Sequence, residues 1–163
     1  MDIGVYLSPR ALQGDHDPGH MCVWWEADGI RYFRGFFFKQ SDLPKECRSP
    51  EHWRDYLFDN CVPGHVLDDI VMRDRLEEHA ELVLSATWQA SKSQQTELTS
   101  LAAIGPCGSY SFNPDNHPQA YNCVTWAVSR VNNVLGPVLP KVRQGRIKLM
   151  TEELKRRASA ERS

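Results

Sequence analysis

The most regular hydrophobic pattern in the chain is a pair of aromatic and β-branched runs at residues 21–27 and 30–38. Only Asp28 and Gly29 separate the two runs. Asp-Gly is a dipeptide that tolerates the positive φ angles of a two-residue hairpin turn. The pattern therefore predicts a β-hairpin.

A two-residue loop sets the register of this hairpin. It places Glu26 opposite Arg31 and His20 opposite Phe37. The pairs between these two include Val23 with Arg34 and Trp25 with Tyr32. Glu26 is therefore interpreted as the ion-pair partner of Arg31 across the strands rather than as a catalytic acid.

A second clear pattern lies at residues 123–135, where apolar side chains recur every three or four positions and stop at Gly136. This spacing predicts a helix with one face buried against the sheet. Asn122 is a good N-cap and would place Cys123 in the first turn. In the competing register the helix begins at Pro118, which moves Cys123 into the second turn. The sequence leaves both registers open.

The middle of the chain has weaker patterns. Residues 42–63 contain three prolines and are interpreted as an insertion or lid over the sheet, with a helical turn or two within 51–58. Short apolar runs at 66–72 and 80–86 fit either strands or one long helix. For the second run we expect a strand, followed by a helix at 88–104.

Residues 105–117 are rich in Gly, Pro and Asn, which predicts a loop that retains a short strand at 110–112. Beyond Pro140, a charged helix is expected from about 144 to 157. Residues 141–163 carry eight Lys and Arg against three Glu, whereas the preceding part is acidic. With a net charge of −2 and no interleaved aromatic residues, this basic tail is interpreted as a solvated helix rather than a nucleic-acid-binding segment.

The length of 163 residues and the 41% hydrophobic content predict one domain spanning 1–163. The predicted hairpin and the helices expected at 88–104 and 123–135 make it an α+β domain, in which the helices pack against the sheet. No apolar run approaches the roughly 18 residues that span a bilayer, so no stable membrane insertion is expected. The first residues lack the features of a signal peptide, so we expect the chain to be made in the cytoplasm. The five cysteines form no Cys-x-x-Cys pair, which predicts free thiols rather than disulfides or a zinc ribbon.

Cys123 and His20 are the two residues that suggest covalent chemistry. A thiol attacks a carbonyl carbon as the thiolate, which is favoured at a helix N-terminus or beside an imidazolium. His20 opens the first strand of the hairpin, from which its imidazole could reach a helix terminus. The pair is therefore a candidate nucleophile and general base.

Four short motifs follow one another along the chain, namely Gly19-His20, Gly35-Phe36-Phe37, Gly108-Ser109-Tyr110-Ser111-Phe112 and Tyr121-Asn122-Cys123-Val124-Thr125-Trp126-Ala127. In this order they resemble the circularly permuted branch of the NlpC-type papain-like hydrolases, in which the histidine strand precedes an Asn-Cys helix start. That branch includes relatives of lecithin retinol acyltransferase and several bacterial effector toxins.

The resemblance implies a papain-like α+β fold, with Cys123 as nucleophile, His20 as base and no cofactor or metal. Family members often add a polar residue on the strand opposite the histidine, and here that position is Phe37, which cannot serve. Gln40 would reach the histidine only through a bulge. We therefore expect a Cys/His dyad, with the oxyanion held by the backbone N–H of Cys123 and one neighbour. Tyr110 is interpreted as a loop residue, as is His117.

By the same resemblance, we expect a bacterial effector toxin that is secreted into a target cell or its periplasm. It would cleave peptide amide bonds of peptidoglycan through a thioester and would have a cognate immunity protein. The alternative is an effector that acts on a host protein or lipid as a protease, deamidase or acyltransferase.

Two other readings of the residues compete with an enzyme. One is a metal site built from His16, His20 and Cys22, with Asp15 or Cys107 as a further ligand. The other is a noncatalytic binding module that uses the aromatic hairpin as its contact surface. Helices covering both faces of the hairpin would also explain those aromatic residues.

Overall fold

The computed structural model describes residues 2–9 and 19–162, which form a mixed α+β structure with a curled sheet of seven strands and five helices. The strands are β1 (Asp2–Ser8), β2 (His20–Ala27), β3 (Ile30–Phe37), β4 (Val62–Asp68), β5 (Leu84–Gln89), β6 (Gly105–Tyr110) and β7 (Ala120–Tyr121). The helices are α1 (Pro50–Asp59), α2 (Ile70–His79), α3 (Lys92–Leu101), α4 (Cys123–Leu135) and α5 (Ile147–Arg162). The strand order is β5-β1-β2-β3-β4-β6-β7. Neighbouring strands are antiparallel except for the parallel pair β6 and β7.

The predicted hairpin and its register are confirmed. Asp28 and Gly29 form the turn with φ angles of 53° and 78°. Glu26 lies opposite Arg31 and forms an ion pair with it at 2.5 Å. The predicted pairs Trp25 with Tyr32 and Val23 with Arg34 are also present. The pairing ends at Val23 and Arg34, so His20 and Phe37 are not paired through their backbones.

Helices cover both faces of the hairpin strands. One face of the sheet packs against α3 and α4 in the main core, which includes Trp25 and Phe36. On the other face, Trp24 and Phe33 join a smaller cluster with Met72 of α2. All four of these aromatic side chains are buried. These four side chains are therefore part of the core, as helices on both faces of the hairpin would explain.

The strand expected at 80–86 and the helix expected at 88–104 are both present, but their boundaries were wrong. For the first run, at 66–72, the sequence had left strand and helix open. The first run splits into the end of β4 and the start of α2. Residues 80–82 form a short 3-10 turn, and β5 begins only at Leu84. Trp88 and Gln89 belong to β5, so α3 begins after the cap residue Ser91.

The prediction of a loop at 105–117 was wrong for residues 105–109, which form β6 together with Tyr110. The short strand predicted at 110–112 is present only at Tyr110, because β6 ends there. Glycine and proline normally disfavour a strand interior. Here Pro106 lies opposite His65, where the pairing of β4 and β6 changes register at a bulge. On the other side of β6, β7 pairs only with Ser109 and Tyr110, so the Pro106 end lies at an open edge.

The insertion expected at 42–63 contains α1, which begins at Pro50 after the N-cap residue Ser49 and extends slightly beyond the predicted 51–58 at both ends. The terminal helix begins later than predicted, at Ile147, because Gln144 and Gly145 have φ angles of 55° and 58°. It is also not solvated all round, since Met150 and Leu154 are buried in the main core. Within the described part of the chain, none of the helices has the length and apolar character needed to cross a bilayer.

Candidate active site

Cys123 is the first residue of α4, as the Asn122-capped register predicts. The side-chain oxygen of Asn122 accepts hydrogen bonds from the backbone N–H groups of Val124 (3.1 Å) and Thr125 (3.0 Å). The hydroxyl of Thr125 accepts in return from the N–H of Asn122 at 2.9 Å. This capping box leaves the Cys123 sulfur at the positive end of the helix dipole. The register beginning at Pro118 is wrong, because β7 occupies the residues just before Asn122.

The structure brings His20 to Cys123, although a hundred residues separate them along the chain. His20 is the first residue of β2, at the end of the sheet where α4 begins. The imidazole and the thiol line the same cavity, and Cys123 contributes to raising the pKa of His20. Both residues are buried, with 6% of His20 and 7% of Cys123 exposed. The two candidate catalytic residues therefore form one contiguous site.

A third polar group, Asp69, completes this site and was missed by the sequence analysis. Its Oδ2 lies 2.5 Å from Nε2 of His20. Its Oδ1 accepts a hydrogen bond of 2.9 Å from the backbone N–H of Met72 and so caps α2. Because Nε2 is engaged by Asp69, Nδ1 is the nitrogen left to face Cys123.

The strand position at which family members often carry a polar residue does not supply the partner of His20. Phe37 contacts the imidazole as predicted from the register, but through its ring, with 4.9 Å between centroids. Gln40 lies in a short 3-10 turn beside the site. The polar partner of His20 comes instead from the helix that follows β4, which gives a row of three groups in place of the expected dyad. A sequence signal existed, since an Asp that precedes a helical segment is a typical N-cap.

Gly35 makes room for the Asp69 carboxylate. A Cβ atom at position 35 would collide with Oδ2 of Asp69 and would stand 2.8 Å from the ring of Phe37. The backbone N–H of Asp69 donates to the carbonyl of Phe33 at 3.1 Å, which holds this residue against β3. The absence of a side chain at position 35 is thus what lets Asp69 reach His20.

The electrostatics of the row favour a charged imidazole. Burial alone would lower the pKa of His20, because it disfavours the charged form. The adjoining Asp69 carboxylate outweighs burial, Cys123 adds to its effect, and the pKa of His20 rises to about 10. His20 is therefore protonated at neutral pH.

Tyr110, which the sequence analysis had interpreted as a structural loop residue, also lies at the site. It is the last residue of β6, it is buried, and it lines the same cavities as Cys123, whose backbone N–H acts on the pKa of its hydroxyl. Burial raises the pKa of this hydroxyl well above its usual value, so it keeps its proton. The hydroxyl and the N–H thus belong to the same site. His117, the other candidate from this region, lies in the turn before β7, and no described cavity at Cys123 includes it.

Two cavities meet at Cys123. The larger, of about 550 Å³, lies between α1 and the start of α5. It is called here the basic groove because Arg54, Arg146 and Lys148 line it. The smaller, of about 230 Å³, is called the aromatic cavity. Aromatic rings supply much of its wall, namely Phe36, Phe37, Phe38, Trp53, Tyr110 and Phe112. A substrate bound at Cys123 has room on both sides of the sulfur.

The alternative metal site is not assembled by the described residues. His20 is engaged by Asp69, and Cys107 accepts a hydrogen bond of 3.1 Å from Arg130. Burial raises the pKa of Cys22 well above its usual value, so it remains a thiol. Residues 2–9 and 19–162 contain no group of three His, Cys, Asp or Glu side chains placed to hold a metal ion. His16 and Asp15 lie outside the described residues.

Comparison with known proteins yields no match among family models, curated proteins or solved structures.

Proposed function

We propose that this chain is a papain-like thiol hydrolase of amide bonds, with Cys123 as nucleophile, His20 as general acid and base, and Asp69 as the group that orients the imidazole. The observation that carries the proposal is the 2.5 Å contact between Asp69 and His20, with His20 lining the same cavity as Cys123 at the start of α4. A nucleophile, a base and an orienting carboxylate in mutual contact are the arrangement that acyl transfer requires.

In the proposed reaction the thiol of Cys123 attacks as the thiolate, beside the imidazolium of His20. The sulfur attacks the amide carbonyl carbon and forms a C–S bond. The C–N bond then breaks, and the amine leaves with the proton of the imidazolium. The neutral imidazole next takes a proton from water as the water oxygen attacks the thioester. Cleavage of the C–S bond releases the carboxylic acid and restores the thiolate.

The negative charge on the carbonyl oxygen during attack needs hydrogen-bond donors. The backbone N–H of Cys123 and the hydroxyl of Tyr110 are the two donors that adjoin the sulfur. Because burial keeps Tyr110 protonated, its hydroxyl can donate throughout the neutral range. The role of this hydroxyl extends the oxyanion site expected from the sequence.

The substrate we propose first is a peptide amide bond of bacterial peptidoglycan, cleaved by an effector toxin with an immunity partner. This part of the proposal rests on the resemblance of the motifs to the permuted NlpC-type branch. The unpaired cations of the basic groove agree with it, because stem peptides of peptidoglycan carry carboxylates.

The aromatic cavity favours a second candidate. Phe38, Trp53 and Phe112 offer a surface that suits a large apolar group rather than the small side chains of a stem peptide. A protein substrate with such a side chain beside the scissile bond, or a lipid acyl group, would fill it. The chemistry at Cys123 would be the same in either case.

Hydrolysis of purified peptidoglycan and of an unfolded-protein peptide library, with products identified by mass, tests the function and separates the two candidates. Cys123→Ala and His20→Ala should abolish product formation in whichever substrate is cleaved. Cys61→Ala, which removes an exposed thiol elsewhere, should retain full activity. Product patterns that are the same for wild type and Cys123→Ala in both substrates would refute the proposal.

A further inference from the structure

The basic groove contains positive charge that the reaction at Cys123 does not use. Arg54 of α1 faces the groove from one wall, and Arg146 and Lys148 face it from the start of α5. Among the described residues that line the groove, Glu152 is the sole acid. The chain as a whole has a net charge of −2, so the positive charge is local to the groove.

Residues 2–9 and 19–162 supply no partner for these three cations. No ion pair or hydrogen bond engages the side chains of Arg54, Arg146 or Lys148 in the described structure. Later in α5 the situation differs, because Arg156 and Arg157 are both paired with Glu153. The groove therefore presents charges that are available to a ligand.

Two helix N-termini open into the same groove. The carbonyl of Arg146 accepts from the N–H of Met150, so the N–H groups of residues 147–149 have no acceptor inside the 16-residue helix α5. All three of these residues line the groove. The start of α4 reaches it through Asn122 and Cys123. Both helix dipoles thus add to the positive potential of the side chains.

Asn122 joins the two helix starts. Its side-chain amide donates to the carbonyls of Gln144 (2.9 Å) and Gly145 (3.3 Å), while its oxygen caps α4. The wall that carries Arg146 and Lys148 is thereby held at a set distance from Cys123. An anion bound at this wall would place the attached peptide in a defined position relative to the sulfur.

We propose that the basic groove binds a carboxylate of the substrate, and that this contact positions the scissile amide at Cys123. The inference rests on the proposed function and narrows its substrate class to acidic peptides. The anion is a free C-terminal carboxylate or an acidic side chain. A small groove with three cations in an acidic protein suits one such group better than an extended polyanion.

Paired alkylation of Cys123 tests the groove separately from catalysis. Iodoacetate and iodoacetamide differ in charge, and mass spectrometry gives the rate constant of each reagent at each thiol. The ratio of the two rates at Cys123, relative to the exposed Cys61, reports the positive potential of the groove whether or not the thiol is activated. The absolute iodoacetamide rate in wild type and His20→Ala reports activation, which belongs to the proposed function.

We expect Lys148→Gln and Arg54→Gln each to lower the iodoacetate preference of Cys123 about threefold. Lys155→Gln is the matched control, because it removes the same charge from the same helix outside the groove. It should leave the ratio unchanged. A ratio that is equal in wild type, Lys148→Gln and Arg54→Gln overturns the inference, as does a Cys123 that neither reagent reaches.

Three peptides then identify the source of the carboxylate by how well they protect Cys123 from iodoacetamide. They are acetyl-Ala-Ala-Ala with a free carboxylate, acetyl-Ala-Glu-Ala-amide and the neutral acetyl-Ala-Ala-Ala-amide. Stronger protection by the first assigns the groove to a C-terminal carboxylate, and by the second to an acidic side chain. Equal protection by all three overturns the inference even if hydrolysis is found.

Discussion

Asp69 is the residue whose replacement best separates orientation of the imidazole from its mere presence. Asp69→Asn keeps the shape of the side chain but removes the charge that holds the proton on His20. We expect the rate of hydrolysis to fall about 10³-fold. The alkaline limb of the pH–rate profile, which follows loss of the His20 proton, should move from near pH 10 towards neutral pH.

The adjacent carboxylate supplies the control for this change. Asp68 pairs with Arg34 and Arg73 at 3.3 Å, and its side chain is 42% exposed. Asp68→Asn should leave both the rate and the pH profile close to those of wild type. Equal effects of the two substitutions would show that Asp69 does not act through His20.

Tyr110 permits a test of the oxyanion site at the level of one hydroxyl. Tyr110→Phe should lower kcat about 10²-fold with little change in KM, because the hydroxyl matters only when charge develops on the carbonyl oxygen. Tyr121→Phe removes a hydroxyl from a nearby ring that lines neither cavity at Cys123, and should be neutral. Steady-state kinetics on a cleaved peptide measures both. A Tyr110→Phe enzyme with wild-type kcat would remove the hydroxyl from the mechanism.

Sequence reasoning identified two of the three residues in the row, and the reason for the miss is specific. Cys123 and His20 lie in local patterns, a capped helix and a hairpin, that can be interpreted without knowledge of the rest of the fold. Asp69 lies 49 residues from His20 and reaches it only because β4 pairs with β3. Such a contact depends on long-range pairing, which the pattern around residues 66–72 left open.

At the scale of elements, the cap of α4 should contribute more to the free energy of unfolding than an ordinary helix cap. Asn122→Ala removes the capping bonds and also the bonds to Gln144 and Gly145. We expect the free energy of unfolding to fall by about 2–3 kcal/mol. Ser91→Ala removes the capping box of α3 alone and should cost about 1 kcal/mol.

Urea denaturation of the two variants measures this difference. If Asn122→Ala cost no more than Ser91→Ala, the link between α4 and the wall of the groove would contribute nothing to stability. Alkylation of Cys123 by iodoacetate gives a second readout, since displacement of the wall should lower its rate in Asn122→Ala only.

The elements that were predicted correctly have strong local signals, and those that were missed do not. The hairpin has its Asp-Gly turn, and α4 has an apolar face with a cap and a terminal glycine. Helix α2 covers a small cluster mainly through Met72, while Ile70 and Val71 at its start are exposed, so its pattern does not resemble a buried helix face. Strand β6 contains Gly and Pro that only an open edge and a bulge make tolerable.

At the scale of the whole molecule, the buried His20 makes stability depend on pH. Its pKa is about 10 in the folded state and about 6.5 when unfolded, so above pH 6.5 the folded state holds a proton that the unfolded state has lost. The stabilisation is complete below pH 6.5 and is lost as the pH rises through 10. The free energy of unfolding should therefore decrease by up to about 1.4 kcal/mol per pH unit.

Denaturation between pH 6.5 and 8 isolates this effect, because the thiols and tyrosines titrate mainly above that range. Asp69→Asn should flatten the slope, since it removes the charge that raises the pKa of His20. A wild-type stability that is constant or increases over this range would contradict a protonated His20 in the folded state.

The general architecture was accessible from the sequence, whereas the assembly of the sheet was not. An α+β structure in which the hairpin packs against α3 and α4 was expected and is present. The place of β1 between β2 and the edge strand β5, and the parallel pairing of β6 with β7, depend on contacts between distant segments. No local periodicity encodes them.

The space left at Gly35 for Asp69 suggests a fingerprint by which relatives of this chain could be recognised. A search for a polar residue on the strand facing the histidine would pass over any protein built this way. A glycine two positions before the residue opposite the histidine, together with an aspartate that caps the first helix after the next strand, would find it. Neither residue identifies the arrangement alone, but replacement of either should be accompanied by replacement of the other in descendants that keep the same chemistry.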